Sequence, residues 1–155
     1  AEGGFIDSFS GDGILALFGG GPDHAVRAGI AALRALDRFN DRLVARGEAP
    51  VRVGVGIHTG TLMVGILGAP ERLRAGVLGV PVMMSAWLEA YSKQVGATML
   101  VSGRAVELLH DRSAYSLRRI DDARLEAPAG GEPVYEVLDA LSEAERAGRL
   151  AGSGP

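Results

Sequence analysis

Six apolar residues, Val26, Ile30, Leu33, Leu36, Phe39 and Leu43, recur at steps of three and four between Pro22 and Gly47. That spacing puts them on one stripe of a long amphipathic α-helix, with Pro22 and Asp23 suited to its first turn and Gly47 and Pro50 closing it. On either side the period drops to two. Phe5 to Ser10 and Ile14 to Phe18 are short apolar runs around Gly11-Asp12-Gly13, and an Asp-Gly pair in that setting predicts an opening β-hairpin. Beyond the helix, Val51, Val53, Val55 and Ile57 alternate with Arg52, Gly54, Gly56 and His58, which predicts a strand.

The interleaving continues to the end of the chain. Thr61 to Leu67 and Leu73 to Leu78 read as strands, and Val80 to Val95 as a helix with Val82, Met83, Ala86, Trp87, Ala90 and Tyr91 along one stripe. Thr98 to Val101 is a short β-run, Ser102 caps a brief helix, and Tyr115 to Ile120 and Pro133 to Leu138 are closing strands. Ser142-x-x-Glu145 is a capping box for a terminal helix. The predicted class is α+β, a mostly antiparallel sheet covered by helices. With 155 residues, 47% of them apolar, one core accounts for the chain: a single domain over 1–140, then a C-terminal helix and flexible tail over 141–155.

Charge and composition remove several function classes. Sixteen basic against nineteen acidic residues leave a net charge of −3, with the basic residues scattered, so no nucleic-acid partner is expected. The longest uncharged stretch, Val53 to Pro70, holds five glycines and alternates like a strand, so no direct membrane insertion is expected. No basic-then-apolar leader opens the chain and no cysteine occurs, which reads as a cytoplasmic protein. The start at Ala1 rather than Met reads as a fragment or a processed product.

Catalytic raw material is sparse. His24, His58 and His110 fall on three different elements, without the i,i+4 spacing of a metal site. No G-x-S-x-G elbow occurs, Gly54-Val55-Gly56 lacks the third glycine of a dinucleotide loop, and the one lysine, Lys93, sits in no phosphate-binding loop. Asp12 alone has a suggestive place, since a carboxylate at a hairpin tip can reach a divalent cation.

The order and spacing of these segments resemble a known family. Gly4 to Gly19 with its Ser10-Gly11-Asp12 core, Asp23 to Ala28, Val55-Gly56-Ile57-His58-Thr59-Gly60 with Val64-Gly65, and the segment Glu71 to Glu89 look like the catalytic domain of class III adenylate and guanylate cyclases. The resemblance implies a ferredoxin-like α+β domain that pairs head to tail, as a homodimer or a heterodimer with another cyclase chain. In such a dimer ATP or GTP is cyclised at the interface with two Mg²⁺ or Mn²⁺ ions. Asp12 matches one of the family's two metal-binding aspartates; the other belongs to a first strand that this chain lacks. Two ions held ~3.5–4 Å apart need both carboxylates. Val80, Met83 and Trp87 stand where the family has the Asp, the ribose-orienting Asn and the phosphate-binding Arg. Ser8 and Gly76 stand at the base-reading positions. The resemblance therefore implies a cyclase domain with impaired or lost turnover, or alternatively a catalytically dead dimerisation and regulatory module, or a truncated or engineered piece of a cyclase. Met83 and Trp87, one turn apart, then fill a core or an interface, or line an apolar pocket in place of the nucleotide cleft.

Overall fold

The computed structural model describes residues 2–67, 74–120 and 131–151. The expected strand start at Leu73, the acidic Gly/Ala/Pro loop over 121–130 and the tail over 152–155 lie outside the described residues. In chain order the elements are β1 (Gly4–Ser10), β2 (Gly13–Phe18), α1 (Pro22–Ala45), β3 (Val55–Ile57), β4 (Met63–Leu67), β5 (Arg74–Leu78), α2 (Val80–Gln94), β6 (Met99–Ser102), α3 (Gly103–Glu107), β7 (Leu117–Ile120), β8 (Val134–Val137) and α4 (Glu143–Ala151). The α+β alternation read from the sequence is the observed one. The strands fall into three ladders: the hairpins β1–β2 and β4–β5, and a four-stranded sheet in the order β3-β6-β8-β7. All pairs are antiparallel except β3 with β6, between which the chain runs through β4, β5 and α2.

The first hairpin turns at Gly11, whose φ of 62° is open to glycine at little cost. Ser10 pairs with Gly13, so Gly11 and Asp12 are the two turn residues, and glycine comes first rather than second as the Asp12-Gly13 pair suggested. The register slips between Ile6 and Ser8, leaving Asp7 as a bulge.

Helix α1 ends in a paired cap: the N–H of Gly47 (φ 75°) donates to the Val44 carbonyl and that of Glu48 to the Leu43 carbonyl, each at 2.9 Å. Val26, Leu33 and Leu43 are buried, whereas Phe39 is exposed beneath the Arg42 guanidinium, 5.7 Å from its ring centre. The predicted strand over Val51 to Ile57 shrinks to β3. The Asn40 side chain takes both backbone groups of Val51, donating to its carbonyl at 2.9 Å and accepting from its N–H at 2.8 Å, so that stretch is fastened to α1 instead of to a neighbouring strand.

β6 is buried along its whole length because the sheet is covered on both faces. Met99 and Val101 pack with Val26, Leu33 and Ile57 on the α1 side. Leu100 packs with Leu88, Tyr91, Ile120 and Val134 on the α2 side. Gly56 of β3 makes the second packing possible. A Cβ at Gly56 would overlap the Ser85 carbonyl and Glu89 amide, so α2 lies directly on the strand backbone.

Candidate functional site

The five positions singled out on the hairpins and α2 occupy two regions. Ser8 is exposed on β1, immediately after the Asp7 bulge, and Gly76 sits opposite Gly65 in the β4–β5 ladder. β1 and β5 run beside each other, which brings these two strands together. Val80, Met83 and Trp87 follow one another at helical spacing through the first two turns of α2. Gly79 sets the start of that helix. At φ 152° and ψ 162° it occupies backbone space essentially reserved for glycine, and its missing side chain leaves α2 without a side-chain cap. No acidic residue occupies the first turn, so the helix itself supplies no carboxylate to the positive end of its dipole.

Val80 and Met83 are exposed. Trp87 is half-buried and lies flat on Tyr91, ring centres 4.9 Å apart and planes 11° from parallel. Trp87 thus packs against the core cluster through the Tyr91 ring, while Met83 is more than half exposed.

Asp12 is exposed at the hairpin tip. It acts electrostatically on Lys93 at the other end of α2, whose ammonium is held above its ordinary value first by the hydrogen-bonded Glu89 carboxylate at 2.8 Å and more weakly by Asp12. Lys93 is a neighbour that spacing alone did not reveal. Among the described residues no group of three or more His, Cys, Asp or Glu is gathered closely enough to hold a metal ion. Asp12 by itself supplies one of the two carboxylates that a two-ion centre needs.

The histidines separate as their spacing suggested, with one exception. The His58 side chain is largely withdrawn from solvent, its Nδ1 2.7 Å from Ser102 Oγ and 3.5 Å from Glu132 Oε1. Burial lowers its pKa; the Glu132 carboxylate offsets part of this, and Arg104 adds to the lowering. Ser102 Oγ also accepts from the Ala105 N–H, and Glu132 from the Arg104 N–H, so both partners of His58 cap α3. His24 and His110, 86 positions apart, line one open hollow of about 700 Å³ beside α1. Its carboxylates are already engaged: Asp23 accepts from the His110 N–H at 3.0 Å, and Asp111 from Ser113 N–H and Oγ–H. The hollow includes none of the candidate positions.

The family described as the adenylate and guanylate cyclase catalytic domain matches residues 10–138. Adenylate cyclase of Anabaena cylindrica is 37% identical over 141 residues, which cover 87% of this chain and 28% of that protein. Adenylate cyclase 1 of Rhizobium meliloti is 32% identical over 144 residues, 89% of this chain and 21% of that protein. The chain thus spans under a third of either relative. The crystal structure of the guanylyl cyclase Cya2 superposes with a TM-score of 0.68 at 29% identity, covering 92% of this chain and 73% of that one. A bacterial light-regulated adenylyl cyclase shares the fold, with a TM-score of 0.72 at 18% identity over 97% of this chain and 44% of its own. Among the described residues no helix is long and apolar enough to cross a membrane.

Proposed function

The chain belongs to the adenylate and guanylate cyclase catalytic domain family, and from that premise we propose that it is a cyclase domain of impaired turnover that acts through pairing with a second chain. Domains of this family act on nucleotides, generally use divalent metal ions and typically dimerise. The reaction in view joins the 3′ oxygen of ATP or GTP to its own α-phosphorus, releasing pyrophosphate and the hydroxyl proton. The observation that carries the reading is the opening of α2, where Val80, Met83 and Trp87 offer no carboxylate, amide or guanidinium. Removing one preorganised donor to developing charge costs ~2.7–4 kcal/mol of barrier. The Trp87 ring, stacked on Tyr91, supplies no cation.

Asp12 is the carboxylate through which this chain would meet Mg²⁺ or Mn²⁺ at a shared interface, with Ser8 and Gly76 facing the base without the family's reading groups. The cyclase unit is taken as 1–140, with 141–155 appended, and the setting as the cytoplasm.

Cyclic-nucleotide production from ATP and from GTP with excess Mn²⁺ tests the proposal, comparing the chain with Asp12→Ala and with the triple variant Val80→Asp, Met83→Asn, Trp87→Arg. Turnover at or near background in the chain and in Asp12→Ala, rising at least ~100-fold in the triple variant, is expected. Ready turnover by the chain that disappears in Asp12→Ala would overturn it.

A second reading, a regulatory module without any turnover, draws on the exposed apolar hairpin residues Met63, Val64 and Ile66. A competent cyclase chain whose rate changes on mixing with this one, while this one alone stays silent even as the triple variant, would favour that reading.

A further inference from the structure

Helix α4 docks with its charges inward. Of its described side chains only Arg146 and Arg149, on one face at i,i+3, are withdrawn from solvent, while Leu150 is 58% exposed. A surface helix is ordinarily held by an apolar stripe, and here the stripe is cationic. Arg146 donates to Ser116 Oγ and lies 3.4 Å from the Asp139 carboxylate. Arg149 donates to the Gly96 carbonyl, and its Nε lies 3.7 Å from Glu136 Oε1.

Glu136 is fully buried in β8. Its Oε2 accepts two hydrogen bonds from Arg118, at 2.9 and 2.7 Å, whereas Oε1 has no hydrogen-bond partner among the described residues. A buried carboxylate is costly unless both oxygens are served. Arg149 answers the second one with charge, across a gap longer than a hydrogen bond. The same side chain reaches the turn that ends α2, where Gly96 adopts φ 64° and a cation complements the helix dipole. Arg149 therefore ties the far end of the helix that carries Val80, Met83 and Trp87 to the buried acid of the central sheet.

We infer that α4 is a charge-held strap: it closes over Glu136 and fixes the C-terminal end of α2 at low ionic strength, and it lifts when mobile anions compete for Arg146 and Arg149. Every contact described for α4 runs through the Arg146 or Arg149 guanidinium, and the two that pair it with a carboxylate are the ones that salt screens.

Hydrogen exchange of the whole chain, followed by mass spectrometry at ~0.1 M and ~1 M NaCl, where the Debye length falls from ~10 to ~3 Å, tests this. Amides of Arg146 to Ala151 should be protected at the lower salt and exchange at least ~10-fold faster at the higher, while Met99 to Ser102 keep their rates. Arg146→Gln and Arg149→Gln should each give the fast pattern already at the lower salt. Protection of α4 that 1 M NaCl leaves unchanged would overturn the strap, as would an α4 unprotected at the lower salt. Because the salt comparison uses the unmodified chain, it decides the matter even if a variant fails to fold.

Discussion

His58 is a point where one side chain's protonation is written into the fold. Its folded-state pKa lies below its ordinary value of 6.5 because burial disfavours the imidazolium. The neutral ring's contribution to stability is therefore fully present above about pH 6.5 and is lost as pH falls through and below it, since the unfolded chain then takes up a proton that the native state refuses. Urea unfolding at a pH of about 7.5 and of about 5.5 should show a lower midpoint at the acid end, and His58→Gln should flatten the difference. An equal acid loss in His58→Gln would assign the effect to other groups. The motif around His58 was legible in the sequence, whereas its partners Ser102 and Glu132 were not. They arrive from 44 and 74 positions away, and no local pattern encodes such a meeting.

At the scale of elements, the reach of sequence reading follows how local each cause is. α1 was legible almost to its ends because its stripe and Pro22 lie within it and Gly47 lies just past its last turn. β3 was overextended because Asn40, on a different element, captures Val51. The joint between β3 and α2 belongs to neither element alone. Gly54 and Gly56 let α2 settle on bare backbone, with a Cβ at Gly54 falling 2.7 Å from Ser92 Oγ. Gly56→Ala should push α2 off the strand and destabilise the chain by ~1–3 kcal/mol, the usual cost of overpacking, read as a lower denaturant midpoint. Gly65→Ala, with nothing within 4 Å of the added carbon, is the control and should be close to neutral. Equal effects at the two sites would mean that β3 and α2 are not in such close contact. By contrast, the stripe predicted for α2 is not the face it buries: Pro81, Met84, Leu88, Tyr91 and Ser92 are buried, while Met83, Ala86 and Ala90 of the predicted stripe are exposed, because Leu100, Ile120 and Val134 on distant strands decide which side is covered.

Across the whole molecule, two hairpins carry apolar side chains that this chain leaves uncovered. Phe5, Ile6, Phe9 and Ile14 on the first and Met63, Val64 and Ile66 on the second are all more than half exposed. Val64 and Ile66 share one face of their ladder and Met63 lies on the other, so exposed apolar side chains project from both sides of the β4–β5 hairpin, although Val77 opposite Val64 is buried. A two-stranded ladder is marginal alone, and covering each such side chain stabilises by ~1.5–3 kcal/mol. Under the pairing proposed above, sedimentation should find the chain self-associated, and Val64→Lys with Ile66→Lys should weaken association at least ~10-fold without changing the fold's circular dichroism. A parent chain that sediments as a monomer at all concentrations would argue against self-pairing.

Trp87 is the only tryptophan in the chain, and it lies against the Tyr91 ring on α2. Excitation at the red edge of the aromatic band therefore addresses a single place, one turn beyond Met83. An emission change on adding a nucleotide or a tryptophan-free partner originates at that helix, so the protein carries a built-in optical gauge of whether this face of α2 is visited.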